Sequence, residues 1–134
     1  MNDQEKFQYW LEHAQYDLDT AEAMLQNGRW LYVVFMCQQA VEKLVKGLYG
    51  LYLDFDEIPH IHNIKTLIKR FETLLPNTVT SEYYHLFDTL TGYYISNRYP
   101  DYTEEMAKKV KEGNSRQIYK QTREAFGWLL TLKQ

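Results

Sequence analysis

The stretch RWLYVVFMCQQAVEKLVKGLYGLYL, from Arg29 to Leu53, decides the fold because it is apolar around much of a helical circumference. One apolar stripe recurs in it at three- and four-residue steps, as in a helix. Its members are Trp30, Val34, Cys37, Val41, Leu44 and Leu48. The positions on both sides of this stripe are also largely apolar, so the helix should contact neighbours on more than one side. We therefore predict that it lies at the centre of a helical domain.

The rest of the chain shows the same periodicity in four further segments, and no strand-like alternation. These segments are residues 7–25, 64–75, 81–99 and 118–130. Turn and breaker residues separate the helices: Asn27-Gly28, Pro76, Pro100 and Gly113-Asn114. Short connections between amphipathic helices favour antiparallel neighbours. We therefore predict an all-α, up-and-down helical bundle of about five helices, with residues 1–134 forming one domain.

The composition is that of an ordinary soluble globular chain, with 134 residues of which 45% are hydrophobic and 25% are charged. A net charge of -3 argues against a general nucleic-acid coat, although a local basic patch is compatible with it. The single cysteine, Cys37, has no partner for an internal disulfide, which fits a reducing cytoplasm. The N-terminus is too polar for a signal peptide, and no apolar run reaches membrane-spanning length. We expect a soluble cytoplasmic protein without a cofactor.

Arg98 occupies the position where an apolar residue would continue the stripe of the fourth helix. That stripe consists of Tyr83, Phe87, Leu90 and Tyr94, and Arg98 follows four residues later. A guanidinium at such a position needs a carboxylate, carbonyl or phosphate partner, because an unpaired buried charge is very costly. The residues alone favour a structural role, such as an ion pair or a cation at the helix C-terminus. The sharper alternative is an anion-binding site.

A polar strip interrupts the apolar second helix. Gln38, Glu42 and Lys46 follow one another at four-residue steps, and Gln39 and Lys43 are adjacent to them. Glu42 and Lys46 have the acid-before-base order that stabilises a helix by a few tenths of a kcal/mol. From spacing alone we prefer a solvated face carrying such pairs. The alternative is that Glu42 orients the arginine at the end of the fourth helix and that the lysines help to bind an anion.

The loop sequence HIH, at residues 60–62, lies near Asp54, Asp56 and Glu57 and has the composition of a loose metal cluster. Two histidines separated by one residue in a loop are weak support for a metal, because a real site needs matched ligand geometry. We prefer the interpretation that His62-Asn63 caps the third helix, and we predict no metal site.

Three motifs together resemble the HEPN domain family: FMCQQAVEKLVKGL at residues 35–48, HIHNI at residues 60–64, and NRYPDY at residues 97–102. The resemblance covers nearly the whole chain. It implies a helical bundle that commonly forms a homodimer. Many members of the family are encoded beside a minimal nucleotidyltransferase and act as the toxin of a toxin–antitoxin pair. Others are metal-independent RNases, and the family name refers to proposed nucleotide binding.

The resemblance also implies a site. In HEPN RNases an arginine at the end of this helix and a histidine a few residues later form the active site at the dimer interface. Arg98 matches the arginine, but residues 99–105 contain no histidine, and none follows His85. The candidate site residues are Arg98 and Asp101 for catalysis, and Tyr99, Tyr102, Glu42, Lys43 and Lys46 for binding.

Three functions therefore remain open. The leading hypothesis is a dimeric HEPN protein that acts with a nucleotidyltransferase partner and binds RNA or a nucleotide at an inter-subunit cleft containing Arg98. The second is an active metal-independent endoribonuclease in which Asp101 or Tyr102 replaces the absent histidine. The third is a non-catalytic structural interaction module in which Arg98 only fixes the helix end.

Overall fold

The computed structural model describes residues 1–96 and 99–133, with side chains at all of these positions except 95, 96, 100 and 102. This part of the chain is helical and contains no strand. Its α-helices are α1 (Asp3–Gln26), α2 (Trp30–Tyr52), α3 (Ile64–Lys69), α4 (Ser81–Ser96), α5 (Pro100–Lys109) and α6 (Glu112–Leu130), and single 3₁₀ turns lie at Phe55–Glu57 and Glu72–Leu74. Within these ranges no helix has both the length and the apolar character needed to cross a bilayer. The predicted all-α bundle is confirmed, with six α-helices in the described ranges instead of about five.

A tight turn makes α1 and α2 neighbours. Gly28 has a positive φ of 72°, a backbone conformation that favours glycine. The N–H of Arg29 donates to the carbonyl of Met24 at 2.9 Å, and the N–H of Gly28 donates to the carbonyl of Leu25 at 3.4 Å. These two bonds satisfy carbonyls that the end of α1 would otherwise leave without partners. The predicted stop at Asn27-Gly28 is thereby confirmed.

The second helix is central, as its sequence predicts. It contacts α1, α3, α4, α5 and α6. Apart from Trp30 its predicted stripe is completely buried, and so are Val33, Ala40 and Val45 beside it. The surrounding elements contribute the largest side chains of the same core: Phe7, Leu67, Phe71, Phe87, Leu90 and Leu129. Burial of each such side chain stabilises the fold by about 1.5–3 kcal/mol.

The C-terminal third differs from the sequence expectation. Residues 100–109, which lie between the predicted helical segments 81–99 and 118–130, form α5. Pro100 is the first residue of this helix, a position where the missing N–H of proline needs no partner. The predicted connection around Gly113-Asn114 is also wrong, because α6 already begins at Glu112. Asn114 lies in the first turn of α6 and accepts a hydrogen bond from the N–H of Lys111 at 2.7 Å.

The caps of α3 and α4 agree with the sequence. The Asn63 side chain accepts from the N–H of Thr66 at 3.0 Å, and the Thr80 hydroxyl accepts from the N–H of Tyr83 at 3.3 Å. The third helix is shorter than predicted, because it ends at Lys69 and a 3₁₀ turn at Glu72–Leu74 follows. This short helix places the residues just before it against α2.

Near its C-terminal end α2 passes directly beneath an aromatic ring. A Cβ atom added at Gly50 would overlap the ring of Phe55, which belongs to the 3₁₀ turn after α2. Phe55 is partly buried and packs against the core. Glycine is therefore required at position 50 by the close approach of the ring.

We predict that Gly50→Ala lowers the free energy of unfolding by about 1–2 kcal/mol, because the overlap outweighs the better helix propensity of alanine. Urea unfolding followed by circular dichroism measures this change. Gly127→Ala in α6 is the matched control: no described atom lies within 4 Å of a Cβ added there. That control should gain up to about 1 kcal/mol. Equal effects of Gly50→Ala in the wild-type and Phe55→Ala backgrounds would contradict the explanation.

Candidate functional site

The carboxylate of Glu42 is the centre of a buried polar cluster on α2. It accepts from the Nε2 of Gln38 at 2.8 Å and from the Nζ of Lys46 at 3.0 Å. The third partner comes from the segment before α3: Nδ1 of His62 lies 3.1 and 3.2 Å from the two carboxylate oxygens. The Gln38 amide also donates to the backbone carbonyl of His62 at 3.4 Å. We refer to Gln38, Glu42, Lys46 and His62 as the Glu42 cluster.

Burial of this cluster corrects the preferred sequence interpretation. We expected the strip of Gln38, Glu42 and Lys46 to be a solvated face, but these residues are only 0%, 5% and 8% exposed. The expectation was wrong because the segment before α3 packs on this face of α2, where His62 contacts both Gln38 and Glu42. The acid-before-base pair of Glu42 and Lys46 does form. It forms inside the protein, where either charge would be strongly destabilising if it were buried without the other.

The imidazole of His62 links the buried cluster to the surface. Its side chain retains 37% exposure, whereas that of Glu42 retains 7%. The ring packs against Tyr94, in the last turns of α4, with 4.8 Å between centroids. Tyr94 in turn stacks on Phe35 of α2, with 5.6 Å between centroids and an angle of 17°. Elements α2 and α4 therefore fix the position of the His62 ring from two sides.

Lys43 is engaged outside the Glu42 cluster. Its Nζ forms an ion pair of 2.6 Å with Asp17 of α1, and the Asp17 side chain is almost completely buried. The pair ties α1 to α2. Of the two lysines that the alternative interpretation assigned to anion binding, only Lys46 lies beside Glu42.

Arg98, the principal sequence candidate, lies outside the described residues. Of its predicted companions, Tyr99 is 58% exposed and Asp101 is exposed in the first turn of α5. The backbone of Tyr102 belongs to α5, but its side chain is outside the described set. In the sequence Arg98 follows Tyr94 by four residues, and α4 ends at Ser96. Tyr94, the residue of α4 that contacts His62, thus precedes Arg98 by four positions in the sequence.

Cys37 and the HIH loop at residues 60–62 are the two other places where the sequence carries a thiol or histidine ligands. Burial raises the pKa of the Cys37 thiol to about 12, so this side chain is a neutral core residue at physiological pH. In residues 1–96 and 99–133 no group of three or more His, Cys, Asp or Glu side chains is placed to hold a metal. Asn63 caps α3, as predicted, while His62 binds Glu42.

A groove between α4 and α6 is a concave surface that a ligand could enter. It has a volume of about 310 Å³, and carboxylates and amides line it: Glu82, Glu124, Asn114, Gln117 and Gln121. No described lysine or arginine contributes to its wall. Two carboxylates without a cation repel phosphate, so the groove is poorly suited to RNA.

The Glu42 cluster has the arrangement that prepares an imidazole for proton transfer. A carboxylate bonded to Nδ1 favours the tautomer with a proton on that nitrogen, which leaves a lone pair on Nε2. Sequence reasoning found Glu42 but missed His62 as its partner, because 20 residues separate them. The HIHN motif was noticed for capping, and nothing in its spacing indicates which histidine faces α2.

The chain resembles known proteins along most of its length. The sequence model of the HEPN domain matches residues 7–132. Among solved structures, the crystal structure of TT1696 from Thermus thermophilus is similar, with a TM-score of 0.76 and 24% identity. The similarity covers 99% of this chain and 100% of that chain, and at this identity it supports the fold alone. A comparison with curated proteins gave no match.

We predict that Glu42→Ala lowers the free energy of unfolding by about 3–5 kcal/mol, because it leaves the buried Lys46 ammonium without a partner. Urea unfolding measures the loss. The double variant Glu42→Ala/Lys46→Met should recover part of it, because no buried charge remains. Glu112→Ala is the matched control, since it breaks an exposed pair with Arg116 and should cost less than about 1 kcal/mol. Equal losses for the two glutamates would show that the cluster is not buried in solution.

Proposed function

The chain belongs to the HEPN domain family, and from this membership we propose that it binds RNA or a nucleotide in a cleft between two copies. We further propose that it acts with a minimal nucleotidyltransferase, as one half of a toxin–antitoxin pair. Family membership supports a role connected with nucleotides or RNA in general. HEPN domains commonly dimerise, which supports the cleft between two copies. The proposed partner rests on the Arg-Tyr-Pro-Asp sequence at residues 98–101, which resembles the subgroup paired with nucleotidyltransferases.

The observation that carries the binding proposal is the Glu42 cluster. A buried carboxylate with three side-chain partners is costly to assemble, and a core of the same shape made of apolar residues would be at least as stable. The cluster holds a partly exposed imidazole against Tyr94, one helical turn before Arg98 in the sequence. An arginine offers several donors in a planar fork that suits phosphate oxygens. Tyr99, exposed at the start of α5, supplies a ring on which a base can stack.

RNA cleavage is the second candidate function, and His62 favours it. The sequence offers no histidine after Arg98, which leaves an arginine without a base. His62 comes from a different part of the chain and faces a carboxylate. The third candidate, a structural module, predicts that Arg98 affects stability and no ligand.

We predict that Arg98→Ala weakens binding of a fluorescein-labelled single-stranded RNA by at least about tenfold, the effect of losing one charge-assisted hydrogen bond. Fluorescence anisotropy in EDTA measures the affinity. The slope of log affinity against log salt should also fall by about 0.7, because one phosphate contact is lost. Arg116→Ala removes one exposed charge from α6 and serves as the control, with little change in affinity.

Two outcomes of that experiment contradict the proposal. If Arg98→Ala lowers the melting temperature but leaves the affinity unchanged, Arg98 fixes the helix end and the chain is an interaction module. If light scattering shows a strict monomer at high concentration, with or without RNA, the cleft cannot lie between two copies. A dimer with weakened binding in Arg98→Ala alone supports the proposal.

The partner has its own test. We predict that expression of this chain alone slows bacterial growth, and that co-expression of its proposed minimal nucleotidyltransferase partner restores growth. Arg98→Ala should not slow growth, whereas Arg116→Ala should act as the wild type does. Normal growth with wild-type protein at matched expression would argue against the toxin role, and it would leave the RNA-binding result unaffected.

A further inference from the structure

We propose that the groove between α4 and α6 binds a small linear aliphatic polyamine, with ammonium groups beside Glu82 and Glu124. No residue of the Glu42 cluster lines this groove. The proposal therefore concerns a second site, and it does not depend on the proposed function. The ligand class follows from three properties of the groove: its volume, its unpaired acceptors and its buried apolar residues.

The volume of the groove fits a small organic molecule. At about 310 Å³ it lies at the lower end of the range for pockets that bind such ligands. A protein partner would need far more room, because a stable interface covers about 800 Å² of each partner. An unbranched chain that lies between the two helices is the kind of ligand that this space suits.

Four acceptor side chains of the groove have no partner in the described part of the chain. They are Glu82 of α4 and Gln117, Gln121 and Glu124 of α6. Asn114 differs from them, because it already accepts from the N–H of Lys111 and donates to the carbonyl of Lys109. An ammonium group has only donors, which carboxylate and amide oxygens can accept. The wall thus offers several acceptors to a cationic nitrogen, two of them charged.

Helix α6 leaves Glu124 without an ion pair among the described residues. Lys120 precedes it by four positions, which is the less favourable order for a base and an acid on a helix. The two residues border a neighbouring hollow without pairing, whereas Glu112 and Arg116 of the same helix pair at 2.9 Å. Glu82 lies in the first turn of α4, where the helix dipole stabilises a carboxylate. Glu124 lies far from both ends of α6, so an entering cation would be its first counter-charge.

The most buried side chains of the groove are apolar. Leu86 and Ile118 are buried, whereas both carboxylate residues are exposed. The ring of Tyr83 also lines the groove, and it packs against Trp128 and Phe87 with centroid distances of 5.1 and 6.3 Å. Methylene groups are stabilised by contact with such a surface, and an aromatic ring attracts an ammonium group. A small hydrated ion would gain nothing from either contact.

A linear polyamine combines the two chemistries that the groove presents. Its ammonium groups are separated by methylene chains, so charged groups can reach the exposed carboxylates while the methylenes contact Leu86 and Ile118. A monoamine satisfies one carboxylate at most. A divalent metal ion carries the charge but has no apolar part. The arrangement therefore favours a ligand with at least two ammonium groups on one flexible chain.

The experiment titrates spermidine into the full chain labelled with ¹⁵N and follows the backbone amide shifts by NMR. Amides of α4 and α6 beside the groove should shift, and the titration gives the Kd. Glu124→Gln and Glu82→Gln should each weaken binding by about fivefold, the upper end for one exposed ion pair. The double variant should weaken it more than either single change. Glu112→Gln, which removes an exposed carboxylate of α6 outside the groove, is the matched control and should change the Kd by less than about twofold.

A second comparison tests the ligand class. The diamine 1,4-diaminobutane should bind at least about fivefold more tightly than n-butylamine, because only the diamine can engage both carboxylates. Magnesium chloride at the same ionic strength should not displace spermidine, since its ion has no methylene chain to place on the apolar residues. Circular dichroism of each variant confirms that the fold is retained.

Four results would overturn the proposal. The first is the absence of shifts at the groove with millimolar spermidine. The second is an equal loss of affinity in Glu112→Gln and Glu124→Gln, which would show attraction to a negative surface in general. The third is equal affinity for the monoamine and the diamine. The fourth is tighter binding of a short lysine-containing peptide than of spermidine, which would identify a partner segment as the occupant. None of these results alters the RNA-binding test.

Discussion

The structure depends on one buried carboxylate. Glu42 lies at the middle of the most apolar helix, where an isolated ion would cost several kcal/mol. Hydrogen bonds from Gln38, Lys46 and His62 offset the cost of burying the Glu42 charge. Gln38 and Lys46 lie on the same face of α2. The third has to come from elsewhere in the chain. This requirement constrains the path of the chain from α2 to α3, because that segment has to bring the His62 imidazole to the Glu42 carboxylate.

This constraint connects the fold to the site. The segment that carries His62 is held by the Gln38 amide at its backbone and by the Asn63 cap of α3 immediately after it. The N–H of Ile64 then donates to the hydroxyl of Thr91 at 3.4 Å, which joins the start of α3 to α4. A short run of polar bonds therefore fixes three elements relative to one another. The apolar core around it supplies most of the stability, while these bonds decide the geometry at the surface.

Local patterns predicted the parts of the molecule that local forces determine. The apolar stripe of α2, the Asn27-Gly28 stop and the Asn63 cap all involve residues within a few positions of each other, and each is confirmed. The sequence failed where a neighbour distant in the chain decides. Whether Gln38 and Lys46 face water depends on what packs over them, and helical spacing contains no such information. Helix α5 was missed for a related reason. Its sequence is rich in charged residues, and few apolar positions mark the side that faces the rest of the protein.

The candidate site was predictable to the same limited degree. Glu42 was identified from its spacing on α2, with Lys46 as its preferred partner and Arg98 as the alternative. The structure contains the Lys46 pair, and it adds Gln38 from α2 and His62 from the segment before α3. Helical spacing can reveal a pair within α2, but it cannot reveal His62, because only the fold of the segment between α2 and α3 brings that side chain to the Glu42 carboxylate.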